Sequence, residues 1–211
     1  MAKIKILVAD DHPIVAEGLR SLLEPTSEVV AIVKNGRELI VAAKKLNPDV
    51  IVVDISMPLL NGIDAVSQIR SEGLKAKIIF LTMHTETSYA RRALAKGASG
   101  YVLKHSASNE LLFAIRQALA GRTFVTSTVA ARIEHTRAAE EASLNALEEL
   151  TIRQREVLQL LAEGHSAKQI SSILILSRRT IEYHKYNLMK VLGIRKSAEL
   201  IQFAVQHGLV H

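Results

Sequence analysis

The chain has 211 residues, 48% of them hydrophobic and 23% charged, with a net charge of +6 and no cysteine. That balance is globular and excludes disorder over most of the length, and the missing cysteine excludes a disulfide framework, a zinc finger and thiol catalysis. The N-terminal apolar run Ile6–Ala9 is too short for a signal peptide or a membrane span, and no later stretch approaches ~18 apolar residues, so the expected compartment is the cytoplasm with no membrane partner.

In chain order, apolar and β-branched runs of strand length occur at Ile4–Ala9, Val29–Val33, Val50–Val53, Ile78–Leu81 and Tyr101–Leu103. Helical patterns lie between and after them, at Ile14–Leu23, Gly36–Leu46, Gly62–Arg70, Ser88–Lys96 and Glu110–Ala120. Strand and helix alternating five times predict an α/β domain over residues 1–125, a five-stranded doubly wound parallel sheet. Its continuously apolar strands fit a sheet buried on both faces. Residues 126–149 turn Ala-rich and acidic and read as a linker, partly helical or coil. From Leu150 the pattern is helical throughout. Thr151-x-x-Gln154 and Ser166-x-x-Gln169 are capping boxes, Ser177 is a further N-cap, and Gly164, Gly193 and Gly208 are stops. They divide residues 150–211 into four helices near 152–163, 167–174, 178–191 and 197–207, an all-α second domain.

Charge follows this division. Residues 150–211 hold nine Lys/Arg against four Asp/Glu, whereas residues 126–149 hold two against five. A small, dense, basic domain points to nucleic acid or to a solvated basic face.

Polar residues mark the strand ends of the first domain. Asp10 and Asp11 follow the first strand, Asp54 the third, Thr82 the fourth and Lys104 the fifth. Parallel strands bring all of them to one edge of the sheet, where open α/β sheets bind ligands. Each Asp alone reads as a turn residue or helix N-cap, and the Thr or Lys alone carries no signal, but the combination of complementary types at five strand-end positions is not coincidence. Carboxylates ~4 Å apart repel by about 4 kcal/mol at an effective dielectric near 20, so the cluster calls for a hard divalent cation or protonation. Oxygen donors without Cys or a His cluster favour Mg²⁺. Beside Mg²⁺, a lysine and a hydroxyl, Asp54 is a candidate nucleophile for an aspartyl-phosphate.

In these motifs, DDHP at Asp10–Pro13, DISMPLLNG at Asp54–Gly62, LTMH at Leu81–His84 and YVLK at Tyr101–Lys104, the chain resembles a bacterial response-regulator receiver domain over residues 1 to about 122. The resemblance implies phosphoryl transfer to Asp54 from a sensor histidine kinase. It implies Mg²⁺ held by Asp11, Asp54 and the Ser56 backbone carbonyl, with Asp10 acting through water. It also implies a Thr82/Tyr101 switch supported by Lys104, and dimerisation on phosphorylation through the first and fifth helices. Ser56 and His84 flank the phosphate in that family and are expected to influence its lifetime. His84 and His12 otherwise read as surface histidines, and His105 stands where many receivers have proline.

The helices at 167–174 and 178–191, joined by a short turn, form a helix-turn-helix pattern. Ile181, His184, Leu188 and Val191 predict the buried stripe of the second helix, with His184 structural. The opposite face is basic with interleaved tyrosines. Lys168, Arg178, Arg179, Thr180, Glu182, Tyr183, Lys185, Tyr186 and Lys190 are the candidate contacts to double-stranded DNA. Glu182 either accepts from a cytosine amino group or pairs with Lys185 or Tyr186. Residues 150–194 resemble the LuxR-type helix-turn-helix, with Glu156 at the family's buried acid position, Ile152 where a proline is usual, and atypical side chains at 182, 183 and 186. Receiver plus LuxR-type domain resembles the NarL/FixJ class of transcription regulators, not an enzyme. In the last helix, Leu200, Phe203 and Ala204 are the candidate contact between two copies, unless the apolar residues there all complete the domain core. The alternatives are a constitutive DNA binder whose receiver is a scaffold, and a Mg²⁺-dependent phosphatase.

Overall fold

The computed structural model describes residues 3–135, 147 and 149–210, with the backbone alone at 134 and 135. The chain divides into two compact units, residues 1–138 and 139–211.

The first unit contains strands β1 (Ile4–Ala9), β2 (Ser27–Val33), β3 (Val50–Val53), β4 (Lys77–Thr82), β5 (Gly100–Leu103) and β6 (Phe124–Val125). Its helices are α1 (Pro13–Leu23), α2 (Gly36–Leu46), α3 (Gly62–Ser71), α4 (Thr87–Ala95), α5 (Ala107–Leu119) and α6 (Ser127–His135). The strands form one parallel sheet in the order β2-β1-β3-β4-β5-β6. The sheet therefore has six strands where the sequence predicts five. The extra strand is two residues long, pairing Phe124 with Gly100 and Val125 with Tyr101.

Alternation along the strands builds two cores, one on each face. Leu7, Ala9, Ile51, Val53, Ile78 and Phe80 enter one, packed with α2, α3 and α4. Ile6, Val8, Val50, Val52, Ile79 and Leu81 enter the other, packed with α1 and α5. Both sets are buried, which is why these strands read as unbroken apolar runs. Each such side chain gains about 1.5–3 kcal/mol on burial.

Part of the segment expected as linker packs on this unit. The Thr126 N–H donates to the Tyr101 carbonyl at 2.9 Å, Val129 is buried in the first core, and Arg91 donates to the Ile133 carbonyl at 3.0 Å.

The second unit holds α7 (Ile152–Ala162), α8 (Ala167–Leu174), α9 (Arg178–Val191) and α10 (Ser197–Gln206). Both expected capping boxes are present: Thr151 and Ser166 each accept from the N–H three residues on, and Gln154 and Gln169 return the bond to the cap residue's own N–H. Ser177 accepts from the Thr180 N–H. Gly164, Gly193 and Gly208 adopt φ of 85°, 67° and 63° after their helices. The turn between α8 and α9 places Ile175 at φ 55°, a left-handed cap that β-branched residues disfavour. The core gathers Leu147, Leu150, Leu158, Leu188, Leu200, Ala204 and Leu209. Val191, expected in the buried stripe, is 44% exposed, because the helix turns its last residue out beyond Leu188.

Candidate functional site

The acids come together at the carboxyl edge of the sheet because the backbone pins them there. The Asp10 N–H donates to the Val33 carbonyl at 3.0 Å and the Asp54 N–H to the Ala9 carbonyl at 2.8 Å. The loop after Asp54 closes tightly. The Gly62 N–H bonds the Ile55 carbonyl at 2.8 Å, and a Cβ on Gly62 would lie 2.0 Å from the Asp54 carbonyl oxygen. Glycine is required there by approach alone. Within this loop Leu59 has φ 65° and the Leu60 N–H bonds the Pro58 carbonyl at 2.8 Å, a strained three-residue turn.

Asp10 and Asp54 are buried, and Lys104 at the end of β5 reaches both: Nζ is 2.7 Å from Asp54 Oδ2 and 2.8 Å from Asp10 Oδ2. Burial pushes the Asp54 carboxyl up from its usual range, and Lys104 only partly opposes this because it is shared. For Lys104 burial lowers the pKa, but the bonds and charges of Asp10 and Asp54 outweigh it and hold the ammonium above its usual value. One cation faces two buried carboxylates, so the pocket carries surplus negative charge.

Asp10, Asp11, His12 and Asp54 each offer a ligand atom, all within 4.8 Å of one another. The fit to a divalent cation rests on two solvent-shielded oxygens, Asp10 Oδ2 and Asp11 Oδ1. Lys104 Nζ lies 2.8 Å from the first and His12 Nδ1 2.9 Å from the second, and neither oxygen is otherwise satisfied by the protein. Hard oxygen donors of this kind suit Mg²⁺.

Behind the pocket, Thr82 and Tyr101 are fully buried. The Tyr101 hydroxyl donates to the His84 carbonyl at 3.0 Å, and the His84 N–H donates to Thr82 Oγ1 at 3.2 Å. Burial keeps the Tyr101 phenol protonated far above the usual range, as a donor must be. His84 is not the surface histidine that the sequence predicts. Its side chain is 13% exposed, its Nε2 lies 2.8 Å from Ser56 Oγ, and its ring stacks on Tyr89 at 3.9 Å. Ser56 and His84 are 28 residues apart, and no local signal joins them. His12 remains on the surface, with a 62% exposed side chain.

In the second unit, Arg178, Arg179, Glu182, Tyr183, Tyr186 and Lys190 are exposed along α9, opposite buried Ile181 and Leu188. Tyr183 and Tyr186 are 63% and 68% exposed. Lys168 on α8 is exposed, while Thr180 and Lys185 are half-buried, Thr180 Oγ1 lying 2.8 Å from the Ser177 hydroxyl. Glu156 is buried and paired with Arg153 at 2.7 Å. Leu200 and Ala204, expected at a contact between copies, lie instead inside their own unit's core, with Phe203 half-buried against it. The exposed large apolar residues of α10 are Ile201 and Val205, at 45% and 49%.

Family models for the response regulator receiver domain and for bacterial regulatory proteins of the luxR family match residues 6–116 and 148–204 respectively. The chain is 35% identical over 213 residues to the transcriptional regulatory protein MctR of Rhizobium johnstonii, covering 99% of this chain and 96% of that protein. The crystal structure of a LuxR-family two-component response regulator from Aurantimonas sp. aligns with a TM-score of 0.61 at 38% identity, over 64% of this chain and 97% of that one. The two-component response regulator RcsB in complex with DNA aligns with a TM-score of 0.59 at 29% identity, over 96% of this chain and 98% of that one.

Proposed function

The chain belongs to the two-component response regulators that join a receiver domain to a LuxR-type DNA-binding domain, and from that premise we propose that Asp54 accepts the phosphoryl group that controls DNA binding by α9. The family comprises transcription regulators, not enzymes, and their receivers take phosphate from sensor histidine kinases. The observation that carries the assignment is the convergence of Asp10, Asp11, Asp54 and Lys104 from the ends of three strands, with one ammonium bridging two buried carboxylates.

An Asp54 carboxylate oxygen attacks the phosphorus of a phosphorylated imidazole, the P–N bond breaks, and the imidazole nitrogen leaves. Lys104 then turns from Asp54 to the phosphoryl oxygens, which carry more charge. Asp11, Asp54 and the Ser56 backbone carbonyl would hold Mg²⁺, with Asp10 acting through water, and the ion would supply charge neutralisation when bound. Thr82 donates to a phosphoryl oxygen, which takes its hydroxyl away from the His84 N–H that it now accepts. That N–H belongs to the residue whose carbonyl holds Tyr101, so the two switch residues share one peptide segment. Ser56 Oγ and His84 Nε2 sit beside the phosphate and set its lifetime.

The receiver occupies residues 1–125, the linker 126–149 and the DNA-binding domain 150–211, with the linker's first residues, through Ile133, docked on the receiver. Phosphorylated copies dimerise. The apolar groove between α1 and α5, lined by Val15, Leu19, Leu22 and Ala107, supports receiver pairing, and Ile201 and Val205 support pairing of the second domains. No helix among the described residues is long and apolar enough to cross a membrane. On this reading the ligand of the second domain is double-stranded DNA, and the site of action is the compartment that holds it, the cytoplasm of a bacterium. In RcsB the same two-domain type is seen on DNA.

The test is treatment with a small-molecule phosphodonor and Mg²⁺, followed by intact mass. One stable phosphoryl adduct is expected on the wild type and none on Asp54→Ala. Continuous turnover of the donor without an adduct would instead support the phosphatase reading.

A further inference from the structure

We propose that Glu182 is a specificity-determining residue that reads a cytosine in the major groove; this rests on the reading of α9 as the DNA-contacting helix.

Glu182 is the single acid among residues 178–196, which otherwise carry Arg178, Arg179, Lys185, Lys190, Arg195 and Lys196. It sits at the middle of the exposed stripe, one turn after Arg179 and one turn before Tyr186. A carboxylate at that place has an ordinary structural use, as the i, i+3 or i, i+4 partner of Lys185 or Tyr186. The structure does not use it so. Among the described residues the Glu182 side chain has no ion pair and no hydrogen bond, and the cap of its helix is Ser177. Of the residues near it in sequence, Thr180 meets the Ser177 hydroxyl and the Tyr183 ring lies edge-on to His184 at 5.9 Å.

An unpaired carboxylate on a DNA-facing helix is repelled by every phosphate, so it weakens binding to all sequences alike. It regains that loss only at a base that offers a hydrogen-bond donor. In the major groove the donors are the exocyclic amines of cytosine and adenine. Beside its amine, adenine presents the N7 acceptor, which repels a carboxylate; cytosine presents the N4 amine without such a neighbour. The charge of Glu182 therefore works twice, against DNA in general and for cytosine at one position. Tyr183 and Tyr186 do not share this property, because a phenol both donates and accepts and its ring packs on a thymine methyl as readily as on a sugar.

The experiment is selection of bound duplex from a random pool by the full chain, phosphodonor-treated, as wild type, Glu182→Ala and Glu182→Gln. The wild type is expected to return cytosine at one position in each half-site, preferred about tenfold over other bases. Glu182→Ala loses preference at that position alone and binds random-sequence duplex more tightly. Glu182→Gln moves the preference to adenine, since an amide donates to N7 and accepts from N6. If Glu182→Ala returns the same base with the same discrimination, the inference is overturned while DNA binding by α9 stands. If the wild type retains no duplex at all, the functional reading falls and this inference with it.

Discussion

The two units present their charged residues in opposite ways. In the receiver, Asp10, Asp54 and Lys104 are drawn from distant strands into a buried cluster, where each charge depends on the others. On α9, Arg178, Arg179, Glu182 and Lys190 come from one helix and stand in solvent, each nearly independent. Buried convergence makes chemistry: a carboxylate with a raised pKa beside a held ammonium is poised to exchange one charged partner for another. An exposed row makes a recognition surface, where salt and the phosphate backbone set affinity and single residues set preference. Substitutions should therefore act all-or-none in the first unit and incrementally in the second.

The sharpest contrast is expected from Lys104→Met. Removing the ammonium from a water-poor site should slow phosphoryl transfer to Asp54 on the order of 100-fold, read by radiolabel incorporation. A loss of only a few-fold would mean that the cluster is not cooperative. Arg179→Ala tests the other side. Binding should weaken by a similar factor on every sequence, and the slope of log affinity against log salt should become shallower by about 1. A change confined to one operator would make Arg179 a base reader instead.

The smallest effect is on stability and depends on pH. The folded pKa of Asp54 is raised above 3.8, so the native state binds this proton more tightly than the unfolded chain does. The group is neutral to folding well below that value and destabilises increasingly as pH rises through its folded pKa. Asp54→Asn should accordingly match the wild type in acid and melt higher near neutrality in metal-free buffer, while added Mg²⁺ should narrow the gap by stabilising the wild type. A gap that widens in acid would reverse the sign of the argument.

The same contrast governs what the sequence makes legible. The pocket could be read because β-strand runs end in visible polar residues, and parallel topology alone carries them to one edge. The capping boxes at Thr151 and Ser166 were equally plain, since their bonds span three residues. The contact of Ser56 with His84 could not be read, because it joins two loops through the tertiary fold. Strand β6 is two residues long, below any periodicity, and shows itself only by pairing with Gly100 and Tyr101. In α10 the apolar residues Leu200, Ile201, Phe203, Ala204 and Val205 cover more than one face, so spacing does not decide which go inward. The core took Leu200 and Ala204 and left Ile201 and Val205 outside. Val191 failed for a related reason, since a stripe extended to a helix end overruns the surface it packs on.

The link between the two units is the central claim, and a DNA-binding titration tests it most directly. Wild type and Asp54→Ala are titrated onto a selected operator side by side, with and without phosphodonor and Mg²⁺. The account predicts that the donor tightens binding by the wild type and leaves the variant unchanged. Equal affinity in all four titrations would contradict it and leave a constitutive DNA binder carrying an idle pocket.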